Sequence, residues 1–160
     1  MLRLTKLTDY GILLLTHIAA DDARLFASND LSNATHIPAP TVSKVLQALL
    51  GAGLLESIRG AKGGYRLARP AEEVSVREII DCFEGHIALT ECNLNDSECD
   101  QLPFCATQNN WKKINSAVRD ALDSISLQDM TEKDFMPVFS MKKVLPISSV
   151  NSSMANSETL

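Results

Sequence analysis

The order of short apolar pieces and tight breaks between Ser28 and Leu67 constrains the fold of this chain more than any other feature. Ser28 can cap a short helix that runs to Thr35 and stops at His36-Ile37-Pro38. Pro40 stands where a first helical turn tolerates proline, because that turn has no internal partner for its N–H. Over 41–50, Val42, Val45, Leu46, Leu49 and Leu50 form an apolar stripe that Gly51 and Gly53 end. Thr41, Ser43, Lys44 and Gln47 fall on the polar face of that helix. Two short helices joined by a tight turn form a helix-turn-helix, whose second helix enters the major groove of double-stranded DNA.

Two strand-like pieces follow, Leu54-Leu55-Glu56-Ser57-Ile58 and Tyr65-Arg66-Leu67, flanking Arg59-Gly60-Ala61-Lys62-Gly63-Gly64. This predicts a β-hairpin, and after a helix-turn-helix such a hairpin is a wing. The expectation is that its glycines let the backbone approach a phosphate chain while Arg59 and Lys62 supply charge. A nucleotide-binding glycine loop fits poorly, since no buried strand precedes the turn and no helix follows it. The net charge of −5 argues weakly against nucleic acid, but its distribution reverses that. From Ala39 to Arg69 the bases Lys44, Arg59, Lys62, Arg66 and Arg69 face one acid, Glu56, a plausible phosphate-contacting surface. The competing reading is an ordinary solvated face.

The flanks read as helices. Leu4 to Ala20 carries Leu7, Gly11, Leu14, Leu15 and Ile18 at helical spacing, with Thr8-Asp9 as the start signal. Arg24 to Ala27 is a short extended piece. Ser75 caps a helix from Val76 to Glu84 that Gly85 stops. From Thr107 to Leu127, Trp111, Ile114, Ala117, Val118, Ala121, Leu122 and Ile125 make a narrow seam close to a seven-residue repeat, which points to pairing with a second copy. The fold class is thus mainly α with a small β-hairpin wing: a winged helix-turn-helix head plus a long C-terminal dimerisation helix. The divisions are a DNA-binding domain over 1–85, a cysteine-rich loop over 86–106, the dimerisation helix over 107–130, and an extension over 131–160. That extension adds a turn or two over Thr131 to Met141 and ends in a Ser/Asn-rich stretch that reads as disordered. No apolar run approaches the roughly 20 residues of a membrane span, and no signal-peptide pattern is present. A cytoplasmic homodimer without membrane contact is expected.

Cys92, Cys99 and Cys105 carry the chemistry. Six residues separate the first pair and five the second, in a polar, turn-rich stretch without apolar periodicity. These thiols have no core to fill, and three thiolates on one loop can converge on a soft metal centre. Zinc favours Cys-x-x-Cys pairs, which are absent, whereas wide spacing suits an iron–sulfur cluster. Redox thiols without metal remain open, as does a winged-helix adaptor holding a structural zinc. Cys82, beside Ile79 and Phe83 in a helix, reads as a small core residue. No phosphate loop, nucleophile–base pair or paired carboxylates support an enzyme.

Several of these segments together resemble the Rrf2 family of winged-helix repressors, in its IscR- and NsrR-like branches. The matching residues are Leu4-Thr5-Lys6-Leu7-Thr8-Asp9-Tyr10-Gly11, Ile37-Pro38, Ile58-Arg59-Gly60, Gly63-Gly64-Tyr65-Arg66-Leu67 and the three cysteines. Ala88-Leu89-Thr90-Glu91-Cys92, Asn110-Trp111 and Ile114-Asn115 are similar to the family's regulator of SUF iron–sulfur assembly genes. The resemblance implies a dimeric repressor holding an iron–sulfur cluster, 2Fe–2S or 4Fe–4S, on Cys92, Cys99 and Cys105. It implies a roughly palindromic operator, and iron–sulfur supply, oxidants or nitric oxide as the signal. The chain departs from the pattern in its first cysteine gap, commonly five, and at Gln108, where one branch has a histidine ligand. Asp9 matches an aspartate that the NsrR-like branch lends from the partner subunit, and is equally an acid favoured at a helix start. His86 and Glu91 are the other candidates for the fourth ligand, while His17 and His36 read as ordinary residues of the head.

Overall fold

The computed structural model describes residues 3–60, 62–93, 99–100 and 102–137. Helix α1 (Lys6–Ala19) begins one turn earlier than Thr8-Asp9 suggests, because the Thr5 side chain accepts the Thr8 N–H. Its buried stripe is Thr8, Gly11, Leu14, Leu15 and Ile18. Helix α2 (Ser28–Thr35) starts without a side-chain cap: Ala27 holds the cap position, and Ser28 lies inside the first turn. The Ser28 hydroxyl instead lies 3.5 Å from the Ser43 hydroxyl on helix α3 (Ala39–Gly51). Between α2 and α3, His36 adopts a left-handed conformation (φ 59°) and the Ser32 hydroxyl donates to the Ile37 carbonyl at 2.7 Å. These two features make the turn tight.

Strands β1 (Leu55–Ile58) and β2 (Gly64–Leu67) pair antiparallel with Glu56 opposite Arg66 and Ser57 opposite Tyr65. Phe26 forms an isolated bridge to β2, exchanging both backbone hydrogen bonds with Tyr65 at 3.0 and 2.9 Å. This packing gives two of the wing glycines a role. A Cβ on Gly64 would meet the Phe26 carbonyl oxygen at 2.8 Å, and one on Gly63 would collide with the Ile58 carbonyl. Gly63 and Gly64 thus serve close packing inside the head, while Gly60 (φ 123°) has open space around it.

Helix α4 (Val76–Glu84) has the expected Ser75 cap, completed by Glu78 as a reciprocal capping box, and ends at Gly85 (φ 77°). One core gathers Leu14, Leu15, Ile18, Phe26, Leu31, Val42, Val45, Leu46, Leu49, Val74 and Ile79. Gly11 lets α1 approach α4, since a Cβ there would fall 2.8 Å from Phe83 Cζ and closer still to Cε2.

Helix α5 (Gln108–Asp123) ends four residues short of Leu127. Over 124–127 the chain turns back to the head: the Val76 N–H donates to the Ile125 carbonyl at 2.8 Å and the Leu127 N–H to the Val74 carbonyl at 2.7 Å. Leu127 is fully buried in the head's core. Ile125 therefore leaves the helical seam. The further helical turn among the described residues up to 137 is the 3-10 turn Asp129–Thr131. The expectations for 138–160 lie outside the described residues. No helix among the described residues is long and apolar enough to cross a membrane.

Candidate nucleic-acid interface and cysteine site

The core positions of α3 fix which side chains it leaves outside. With Val42, Val45, Leu46 and Leu49 buried, Ser43, Lys44 and Gln47 are exposed while Thr41 is half-buried. Ser43 shares its hydroxyl contact with Ser28, so Lys44 and Gln47 are the freest polar groups of this face. On the wing turn, Arg59 and Lys62 are exposed and form no ion pair among the described residues. Arg66 is paired across the strands with Glu56, and Arg69 with Glu78 at 2.6 Å. The five bases read from the sequence therefore reduce to three unpaired ones, Lys44, Arg59 and Lys62.

The cysteines occupy the connection between α4 and α5. Cys92 lies in the 3-10 turn Glu91–Asn93, its sulfur 3.1 Å from the Thr90 hydroxyl. The Asn93 amide donates to that same hydroxyl oxygen at 2.7 Å, which leaves the hydroxyl proton free to point at sulfur. Cys105 follows the turn Leu102–Phe104, with its sulfur 3.4 Å from the Thr107 hydroxyl. That hydroxyl, helped by the Thr107 and Gln108 backbone N–H groups at the start of α5, holds the Cys105 thiol below its ordinary range. Cys82 behaves oppositely: burial pushes its thiol up, and its sulfur lies 3.5 Å from the Ala48 carbonyl. Cys92, Cys99 and Cys105 are each partly exposed and none is in a disulfide.

The described residues do not gather three His, Cys, Asp or Glu side chains into a metal-holding cluster. The segment 94–98, between Cys92 and Cys99, lies outside them. Asp9 is exposed in the first turn of α1, Glu91 is exposed, and Gln108 is half-buried at the start of α5. His86 contacts the Arg119 guanidinium on α5. The donor set itself suits an iron–sulfur centre, with three accessible sulfurs on one segment and one of them biased toward thiolate.

Three features of this region were not read from the sequence. Asn115, 7 % exposed, is one of two buried polar side chains among the described residues. It accepts the Leu89 N–H at 2.9 Å and donates to the Ile87 carbonyl at 3.2 Å. An asparagine beside Ile114 of the apolar seam, past the first turn of α5, was the available signal. Glu84, at the end of α4, accepts the Thr5 N–H at 2.8 Å and the hydroxyl of buried Thr8. This clasp holds the turn that carries Asp9. Arg77 bonds Asp81 at 2.8 Å and Asp123 at 3.0 Å, bridging α4 to α5.

A winged helix-turn-helix head joined through a cysteine-bearing connection to a further helix defines a class of DNA-binding regulators. The sequence profile of the Rrf2 family, described as "Iron-dependent Transcriptional regulator", matches residues 4–133. The chain belongs to the Rrf2 family of transcriptional regulators. It is 32% identical over 131 residues to the HTH-type transcriptional regulator NsrR of Bacillus licheniformis, covering 81% of this chain and 92% of that one. Among solved structures it is similar to CymR, the global cysteine regulator of B. subtilis, with a TM-score of 0.66 and 29% identity, covering 82% of this chain and 97% of that one. It is also similar to IscR of T. potens, with a TM-score of 0.61 and 27% identity, covering 81% and 85%. These relatives are transcriptional regulators and not enzymes, and the chain is a DNA-binding regulator of the same kind.

Proposed function

We propose that this protein is a cytoplasmic, dimeric repressor that senses an iron–sulfur cluster on Cys92, Cys99 and Cys105 and controls iron–sulfur assembly genes. The observation that carries the reading is the placement of its thiols: Cys92, Cys99 and Cys105 lie partly exposed between α4 and α5, whereas Cys82 packs against the head's core. Similarity to IscR supports it. When bound, the cluster would supply a centre that responds to iron–sulfur supply or to oxidants.

The protein's own residues would do the rest. The three cysteines hold the centre. Asp9, anchored by the Glu84 clasp, is the preferred fourth donor, lent to the partner subunit's cysteine segment. On the DNA side, Lys44 and Gln47 read base edges, with Thr41 and Ser43 in support, while Arg59 and Lys62 neutralise phosphates. Trp111 and Ile114, 39 % and 47 % exposed on one side of α5, are the surface on which a second copy would pack. Pairing there would set the spacing of two heads on a roughly palindromic operator. Ordering of the cysteine segment would then bias that spacing.

A second reading, a thiol-redox repressor without metal, is favoured by the eased Cys105 thiol and by similarity to CymR. Anaerobic purification with iron and acid-labile sulfide assays separates the two. The first reading expects iron and sulfide in the parent, their loss in Cys92→Ser, Cys99→Ser and Cys105→Ser, and retention in Cys82→Ser. A metal-free parent that still answers to oxidants on DNA would replace it with the second, and zinc alone would overturn both.

A further inference from the structure

The short segment 87–89 is gripped from both sides. On one side, the Asp81 carboxylate of α4 accepts the Ile87 N–H at 3.3 Å. On the other, Asn115 of α5 donates to the Ile87 carbonyl and accepts the Leu89 N–H. One residue's backbone thus joins the last helix of the DNA-binding head to α5. Three positions after Leu89 comes Cys92, with its sulfur against the Thr90 hydroxyl. Asn115 uses its amide on this segment, and it is buried, so its desolvation is compensated only while the segment stays docked. Asp81 is held in turn by Arg77, which also reaches Asp123 at the end of α5. Asn115 is the one buried residue of α5 among the described residues, and its two bonds to Ile87 and Leu89 fix one position of the segment against that helix.

We infer that Asn115 is the positioning residue for Cys92, and that with Asp81 it couples the cysteine segment to the DNA-binding head. The second half rests on the proposed sensing function. The first half does not, because it concerns where the Cys92 thiol is held in protein without a cluster.

The experiment uses the full chain in metal-free and cluster-loaded forms, with Asn115→Ala and the isosteric Asn115→Asp. The aspartate keeps an acceptor for Leu89 and loses the donor to Ile87. In metal-free protein, amide exchange at Leu89 and alkylation of Cys92 by iodoacetamide should both rise roughly tenfold in Asn115→Ala, equivalent to about 1.4 kcal/mol of opening free energy. Alkylation of Cys105, which is held by Thr107, should stay as in the parent. Asn115→Asp should accelerate both by a smaller factor, so a poorly folding alanine variant still leaves a readable result. Unchanged Leu89 exchange and unchanged Cys92 alkylation in a folded variant would overturn the positioning role. If those change but cluster-loaded and metal-free variants differ in DNA affinity as much as the parent forms do, the coupling is overturned. A parent that takes up no cluster refutes the sensing function and, with it, the coupling, while the alkylation and exchange arms still decide the positioning role.

Discussion

Replacing Gly11 with alanine tests how α1 is set against α4, and with it where the Asp9 turn is held. In an ordinary helix interior the change would stabilise by up to about 1 kcal/mol, because glycine loses more backbone freedom on folding. Here the new methyl would lie 2.8 Å from Phe83 Cζ and closer to Cε2. Carbon–carbon contacts are comfortable at roughly 3.5–4.0 Å, so the ring must retreat by about 1 Å. Phe83 is half-buried and packs against the head's core, so the ring can move only by disturbing that packing. Overpacking of this kind costs about 1–3 kcal/mol, which exceeds the propensity gain. The expected net loss is about 1 kcal/mol, read as a lower urea midpoint with an unchanged slope at fixed protein concentration. In a Phe83→Leu background the clash is relieved and Gly11→Ala should turn neutral or stabilising, giving a coupling of about 1–2 kcal/mol across the double-mutant cycle. An alanine variant more stable than the parent, with no coupling to Phe83, would refute the reasoning.

Four other outcomes follow from the same geometry. Removing Arg59 and Lys62 together should lower the salt slope of DNA binding by about two, at about 0.9 per phosphate contact, whereas Arg66→Ala should change it less because Glu56 already neutralises that charge; equal effects would undo the wing assignment. The Thr8 hydroxyl, followed by the Thr5 N–H, holds the Glu84 carboxyl below its ordinary value of 4.5, so its contribution is present above that pH and lost as pH falls through the depressed value. Glu84→Gln should therefore flatten the acid limb of the urea midpoint as pH falls below the ordinary carboxyl value of 4.5; an unaltered limb would show the clasp to be without effect. Asp9→Ala should leave dimerisation intact on size-exclusion chromatography while changing the cluster's absorption spectrum or lability, and a spectrum and DNA response matching the parent would leave Asp9 as a helix-start acid. Leu127→Ala should destabilise the head by about 2–5 kcal/mol, as for other fully buried leucines, and a midpoint within error of the parent would mean the 124–127 segment is not docked.

Local chemistry made much of this protein legible in one dimension. The spacing of Val42, Val45, Leu46 and Leu49, the proline at the start of α3 and the Ser75–Gly85 bracket around α4 act within a helical turn, so helix positions and the exposed row Ser43, Lys44 and Gln47 could be read directly. The separation of Cys82 from Cys92, Cys99 and Cys105 was legible for the same reason, since a thiol in an apolar periodic run is packed and one in a polar stretch is open. Contacts between distant segments were not legible. Nothing near Gly64 indicates that Phe26 will lie against it, so the packing that requires a glycine there was not legible. Likewise Glu56 and Glu78 cancel Arg66 and Arg69 only through strand register and a helix cap, which reduces the basic surface to Lys44, Arg59 and Lys62. The apolar spacing that ran on to Ile125 is compatible with a longer helix. The chain leaves the helix after Asp123 because Leu127 gains more by entering the head's core, and because Val74 and Val76 offer backbone partners there. Such choices compare burial in one place with burial in another, and only the assembled tertiary structure contains both.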